Sequence, residues 1–385
     1  MMRTRNPAVA MFVFVLLAMS APSGAAVWTV EKDGSGDFTV IQDAVDAAAD
    51  GDTLMIGPGR FDDYRRYTLG AWVDRLFHVL LNGRSLTMIG SGEGETVIGP
   101  ESEFPITEHA IGVTLVYGSE LRMSELTIEH CYGGLNCWDT SYLEIDRCTF
   151  QHQTWGVGCG VFSSRGARIT DCTFLNVDTG IFPGSGSVDV VVDRCMFRGM
   201  IYGMNTTSTQ GLIVTDCRIE DSLMGIQLWS SSTATLTDVD IETDRMSMIV
   251  KAGSHVDLTN SRLSGGDLAT VWVDGLSSLT GSGNILRGND CPPLRIYRSD
   301  VALSDSHILS FSGYAVECEP NFPADWTLDL RNNWWGVSDA DSVASLIYDG
   351  NDSPDIDILV DYLPYRDGQV SNESMGWGEL KRLFR

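Results

Sequence analysis

Along most of this chain apolar and polar residues alternate in short runs, and one such run returns about every 22 residues. Its copies read Leu143-Glu-Ile-Asp-Arg-Cys148-Thr-Phe150, Ala167-Arg-Ile-Thr-Asp-Cys172-Thr-Phe174, Val190-Val-Val-Asp-Arg-Cys195-Met-Phe197 and Leu212-Ile-Val-Thr-Asp-Cys217-Arg-Ile219. An earlier copy spans Leu121 to Ile128, and later copies place Val239, Ser261 and Ser306 where the cysteine stood. Strict alternation in residues rich in Val, Ile, Thr and Phe predicts a strand with one buried face. A second run, about eight residues after each cysteine position, has the same period: Gly134-Leu-Asn, Gly156-Val-Gly, Gly180-Ile-Phe, Gly203-Met-Asn, Gly225-Ile-Gln, Ser247-Met-Ile, Thr270-Val-Trp, Arg295-Ile-Tyr and Ala315-Val-Glu. Two strands with turns of Gly, Asn, Asp and Ser fill each period and leave no room for a helix. A coil that returns to its start at this spacing is one rung of a parallel β-helix, with rungs stacking about 4.8 Å apart.

The ends leave the pattern. Residues 1–25 carry two arginines, an apolar run from Ala8 to Met19 and small residues at Ser23 to Ala26, which reads as a secretory signal peptide. Export from a bacterial cell is therefore expected, to the medium, the periplasm or the cell envelope. Residues 26–110 should form a cap and the first rungs, with Val27 to Val30 as a strand and Thr39 to Ala49 as a short amphipathic helix that Thr39 can cap. A helix there covers strand edges that would otherwise invite association. Asp52 to Gly57 and Ser85 to Gly90 read as strands, and the aromatic stretch Asp62 to Leu81 as a protrusion. Rungs occupy 111–329, a closing segment with a short helix over Asp339 to Ile347 occupies 330–369, and a basic amphipathic tail occupies 370–385.

Three regions carry a resemblance to a known family. Residues 30–61, through Asp33-Gly-Ser-Gly-Asp-Phe38 and Gly59-Arg-Phe61, are similar to the opening of pectin methylesterases; the rungs match a generic β-helix repeat; and residues 330–365, with Trp334-Trp335-Gly, look like the closing segment of bacterial members. The chain thus resembles the right-handed, single-stranded parallel β-helix proteins of the pectin-lyase-like superfamily. That resemblance implies the fold and leaves the activity open, because the fold hosts lyases, hydrolases, esterases, epimerases and proteins without known chemistry. Phe61 stands where the methylesterases have Tyr, and their catalytic motifs have no match here. The catalytic sets of polygalacturonases and of alginate epimerases are missing as well.

Charge narrows the partners. With 26 Lys and Arg against 52 Asp and Glu, a formal charge of −26 repels nucleic acid and anionic membrane surfaces. No stretch after the signal approaches the roughly 20 apolar residues of a spanning helix, and a monomer is expected. Nine cysteines in an exported chain would ordinarily suggest disulfides. Here Cys148, Cys172, Cys195 and Cys217 share one rung position, and Cys137 and Cys159 another, so inward stacks of small core residues are expected instead.

Candidate chemistry follows from the outward positions of the second run. If Leu135, Val157, Ile181, Met204, Ile226, Met248, Val271, Ile296 and Val316 point inward, two outward columns contain Asn205, Gln227, Trp272 and Tyr297, and Trp229, Lys251 and Asp274. Together with Arg295 these crowd onto about four rungs. Aromatic faces beside amides suit a sugar ring, making Trp229, Trp272, Tyr297, Asn205 and Gln227 candidate carbohydrate-binding residues. Lys251, Asp274 and Arg295 are the candidates for catalysis, a cation neutralising an acidic sugar and a base supporting β-elimination. His130 and His152 share a rung position and are weak metal candidates, set against a polar turn ladder. Asp352 and Asp355 offer oxygen ligands for Ca²⁺, set against a solvated turn; no other cofactor is implied. The leading expectation is a non-catalytic surface for carbohydrate or another extracellular or envelope partner. The alternatives are a polysaccharide lyase of unrecognised type and a purely structural spacer.

Overall fold

A computed structural model of the chain describes residues 24–69, 73–102, 110–138, 142–153, 157–162, 165–320 and 326–368. Nearly all of the signal-peptide reading and the whole 370–385 tail lie outside the described residues. The rest is a parallel β-solenoid of about 12 turns and ~23 residues per turn. Each turn contributes to three parallel faces. The first runs from Val27–Val30 through Tyr142–Gln151, Val188–Asp193 and Thr233–Thr237 to Ile358–Asp361. The second runs through Thr96–Ile98, Thr173–Leu175 and Met196–Arg198 to His307–Ser310. The third runs from Val73–Asn82 through Leu135–Trp138, Thr179–Pro183 and Val271–Asp274 to Ile347–Tyr348.

Alternation decides what each face buries. On the first face Ile145, Ile169, Val192, Val214, Leu236 and Leu258 form a continuous inward column, all of them buried. On the second, Phe150, Phe174 and Phe197 stack as near-parallel rings 5.0 and 4.9 Å apart. In-register parallel pairing puts identical side chains one rung apart, close to aromatic stacking distance, so the repeat itself builds the core.

The recurrent cysteine marks the corner between the first and second faces. Just before it the chain passes through a left-handed residue on nearly every rung: Arg147, Asp171, Arg194, Asp216, Asp238, Asn260 and Asp305 all have φ between 45° and 54°. Short polar side chains tolerate that conformation best, which accounts for the recurrent Asp. The following residue points inward and takes up a neighbour's backbone. Cys195 donates its N–H toward Cys217 Sγ at 3.4 Å, and farther along Val239, Ser261, Asn284 and Ser306 donate theirs to Ser261 Oγ, Asn284 Oδ1, Ser306 Oγ and Asn333 Oδ1 at 3.2, 3.0, 3.0 and 2.9 Å. A second ladder at the corner between the third and first faces links Thr209, Ser232, Ser254, Ser277 and Ser299 by N–H to hydroxyl bonds of 3.2 Å. These side chains complete the backbone hydrogen bonding that a sharp turn leaves unmade.

Cys148, Cys195 and Cys217 are buried as expected. Burial pushes the Cys148 thiol well above its ordinary value, and the Cys217 thiol rises through its contact with Cys195 together with burial. Such thiols lack thiolate character and serve packing. The second cysteine stack does not form: Leu135 pairs with Cys159, while Cys137 pairs with Val161. The chain inserts two extra residues between these rungs, which displaces Cys159 along its strand.

Both ends are closed by short helices. Helix α1, Ile41–Ala47, is shorter than predicted, with Val40 at its N-cap and no side-chain cap. Buried Gln42 anchors it instead, accepting from the Leu80 N–H at 2.7 Å and donating to the Leu80 carbonyl at 3.2 Å. The predicted protrusion is half correct: Arg65–Leu69 pairs antiparallel with Val73–Asn82, but the latter then joins the third face as a rung strand. Helix α2, Ala340–Ser345, begins at Asp339, whose carboxylate accepts from the Ser342 N–H at 2.9 Å. Trp335, 2% exposed, fills the last core layer.

Candidate functional site on the third face

The third face presents two outward columns over many rungs, because successive residues of a strand point to opposite sides. One column passes through Asn136, Gly160, Phe182, Asn205, Gln227, Ile249, Trp272, Arg295 and Glu317. The other contains Trp138, Phe162, Thr207, Trp229, Lys251, Asp274 and Tyr297. Two assignments made from the repeat are thereby corrected. Leu294, not Ile296, stands beside Val271, so Arg295 rather than Tyr297 follows Trp272, and Tyr297 follows Asp274. Cys159, not Val157, stands beside Leu135 and Ile181, which brings Phe162 next to Trp138.

Toward the C-terminal end the structure does assemble the predicted residues. The Lys251 ammonium lies 3.4 Å from the centre of the Trp272 ring, 5.7 Å from that of Trp229 and 3.3 Å from Asp274 Oδ2. Arg295 approaches the same Trp272 ring at 5.8 Å and donates from Nε to Glu319 Oε1 at 2.7 Å. Both cations are therefore held by carboxylates and by one indole, an arrangement that strengthens as the groups leave water. Trp272 also packs against Met224, Met246 and Ile249. Its Nε1–H and the Gln227 Oε1 are buried without a hydrogen-bond partner. Trp229 keeps 38% of its surface exposed, and Asn205 and Tyr297 are half-buried.

Toward the N-terminal end lies a feature that the sequence reading did not single out. Trp138, 46% exposed, meets Phe162 edge to face with ring centres 5.9 Å apart, and Phe162 meets Phe182 at 5.5 Å. Two glycines make room for this row. A Cβ on Gly160 would sit 2.7 Å from the Phe162 ring, and one on Gly184 would sit 2.5 Å from it. The signal was present in the sequence: matching Cys137-Trp138 to Val161-Phe162, instead of matching glycine to glycine, aligns the two rings.

The metal candidates find another role. His130 and His152 stack at 5.4 Å with an interplanar angle of 16°, both at left-handed corner positions followed by Asn176. His130 Nδ1 lies 3.2 Å from the Pro100 carbonyl. The neighbouring Glu129 is occupied by Arg60 and Gln151. Burial works to raise the Glu129 pKa, but these hydrogen bonds and the Arg60 charge hold it below the ordinary glutamate value. Asp352 accepts from the Asp349 N–H at 3.1 Å and the Asp355 N–H donates to Ser353 Oγ at 3.4 Å, so this segment is a turn satisfied from within. No group of three or more His, Cys, Asp or Glu among the described residues is placed to hold a metal.

With three stacked faces and corner ladders in view, the matching family model is that of the right-handed beta helix region, over residues 102–241 and 202–352. The chain belongs to this family. Among solved structures, the A-module of a mannuronan C-5 epimerase from Azotobacter vinelandii is similar at 13% identity and a TM-score of 0.52, covering 85% of this chain and 93% of that one. An exopolygalacturonase from Thermotoga maritima is similar at 8% identity and a TM-score of 0.49, covering 67% of this chain and 80% of that one. Pectate lyase Pel9A is similar at 11% identity and a TM-score of 0.41, covering 74% and 77%. At such identities the likeness is one of fold. No curated protein matches the sequence. No helix among the described residues of this β-helix is long and apolar enough to cross a membrane.

Proposed function

We propose that this β-helix is an exported, non-catalytic protein that binds carbohydrate along its third face. The observation that carries the reading is the outward line of aromatic and amide side chains on that face, in which Trp229 stays exposed beside Lys251 and Gln227. An indole offers a flat apolar surface to the C–H face of a sugar ring, and the half-buried Asn205 amide on the same face can match its hydroxyl rim, while Gln227 is buried beneath it. The apolar run from Ala8 to Met19 supports export. The epimerase module named above is a carbohydrate-active protein on the same fold, which agrees with a glycan on this surface.

The lyase alternative needs a free base, and the candidate cations are already committed. Lys251 is paired with Asp274 and covered by Trp272, and Arg295 is paired with Glu319. An ammonium held by a carboxylate and stacked on an indole is engaged on both sides and is not presented to a substrate. Native electrophoresis of the protein through gels containing pectic, alginate, glycosaminoglycan or neutral polysaccharides tests the proposal, beside Trp229→Ala and Lys251→Ala. Retardation by a glycan, weakened in Trp229→Ala, is expected, with no turnover in the parent protein. Turnover that Lys251→Ala abolishes while binding persists would establish the lyase. Unchanged mobility in every gel would leave the role of a structural spacer.

A further inference from the structure

Resting on the glycan reading of the third face, we infer that the row Trp138, Phe162 and Phe182 is a second binding region on it, and that its ligand is an uncharged glycan. The row lies on the same two outward columns as Trp229, several rungs toward the N-terminus, so one extended chain can follow the columns along the solenoid axis. Ring centres 5.9 and 5.5 Å apart form a stepped aromatic surface, seated over Gly160 and Gly184, where any Cβ would crowd the Phe162 ring out of the row. Polar groups follow directly: Asn136 flanks the row on one side and Asn205 continues it on the other.

Charge selects the ligand. Among the described residues of the two columns between Asn136 and Thr207 there is no ionised side chain. Farther on, the cations are paired with Asp274 and Glu319, so neither is free to receive a sugar carboxylate or sulfate. No group of three or more His, Cys, Asp or Glu among the described residues is placed to hold a cation there. The whole chain carries a formal −26, which repels an acidic polymer at long range. An aromatic surface needs no charge on its partner: it covers C–H faces and excludes water from them.

The test is affinity electrophoresis and isothermal titration of the mature chain against neutral β- and α-glucans, xylan and mannan, and against alginate, polygalacturonate and heparin, using Trp138→Ala and Trp229→Ala. Trp138 is exposed, so its removal spares the fold, and a circular dichroism spectrum checks that. The expected result is binding confined to neutral polymers and weakened roughly tenfold in Trp138→Ala, the effect of losing one aromatic face. Binding confined to acidic polymers, or binding that Trp138→Ala leaves intact while Trp229→Ala weakens it, would overturn this inference and leave the glycan reading standing. Absence of binding to every polymer would overturn both.

Discussion

The two ends of the third face are built from the same strands at the same rung spacing, yet they present different surfaces. Near the N-terminal end Trp138, Phe162 and Phe182 touch one another and no described charged group of their columns. Near the C-terminal end Trp272 is sandwiched by Lys251 and Arg295, themselves held by Asp274 and Glu319. An aromatic residue in an outward column is therefore not yet a binding platform. In a solenoid the side chains one rung above and below decide whether its face is open, because those neighbours lie about 4.8 Å away.

The comparison can be broken most forcefully by mutation and denaturation. Trp272→Ala should cost about 3 kcal/mol, since it removes a ring packed on Met224, Met246 and Ile249 and strips two cations of their cover. Phe162→Ala, on the open row, should cost about 1 kcal/mol. Equal losses in urea unfolding would show that both stretches are structural. Lys251→Ala comes next, expected to destabilise by about 1–2 kcal/mol through loss of the indole contact and its pairing with Asp274. It should leave glycan affinity at the Trp138 row unchanged; a parallel fall in affinity would mean that the two stretches act as one site.

Acid separates the stretches by another route. Glu129 shares a rung with Trp138 and bonds Arg60 and Gln151, with a folded pKa below the ordinary 4.5 of glutamate. A depressed carboxylate stabilises the fold fully above that ordinary value, and the contribution is lost as pH falls through the lowered folded value. The fluorescence difference between the parent protein and Trp138→Ala should report loosening of this rung below about pH 4.5, and Glu129→Gln should flatten that response. The smallest effect expected is that of salt. Binding of a neutral glycan should change less than about twofold between low and high ionic strength, and a steep salt slope would point to an ionic ligand.

Much of this was legible in the sequence, because the fold is written as a repeat. Alternation around Cys148, Cys172, Cys195 and Cys217 gave a strand and the inward stack, though not the corner that divides the run just before each cysteine, and the Val27 to Val30 strand came out with the correct bounds. Errors arose where rung length changes. Between Leu135 and Ile181, and again between Val271 and Leu294, the register advances by a count other than the one the glycines or small turn residues suggest. Alternation survives a two-residue slip, so the inward and outward faces were read correctly while the neighbours along a column were not. That is how Phe162 was overlooked and Tyr297 was placed beside Trp272. Contacts across rungs, such as Lys251 with Trp272, lie beyond any local pattern because they join residues 21 positions apart. Likewise, only the packed structure reveals that Gln42, rather than Thr39, fixes α1.

The corner ladder also gives the solenoid a polarity. In each of its links a residue offers its N–H to the side chain of the following rung, Cys195 to Cys217 and then, after the apolar Val239 interrupts the series, from Val239 through Ser306 to Asn333. Cutting the chain from its N-terminal side removes donors and leaves acceptors that water can serve. Cutting it from the C-terminal side strands a buried N–H at each new end, and Asn333 is the residue that terminates the series, its own Nδ2 turned back to the Leu303 and Leu330 carbonyls at 2.7 and 2.9 Å. The molecule thus has one end that tolerates shortening and one that must be finished, so rungs grafted from elsewhere should be joined ahead of the C-terminal closing segment rather than in place of it.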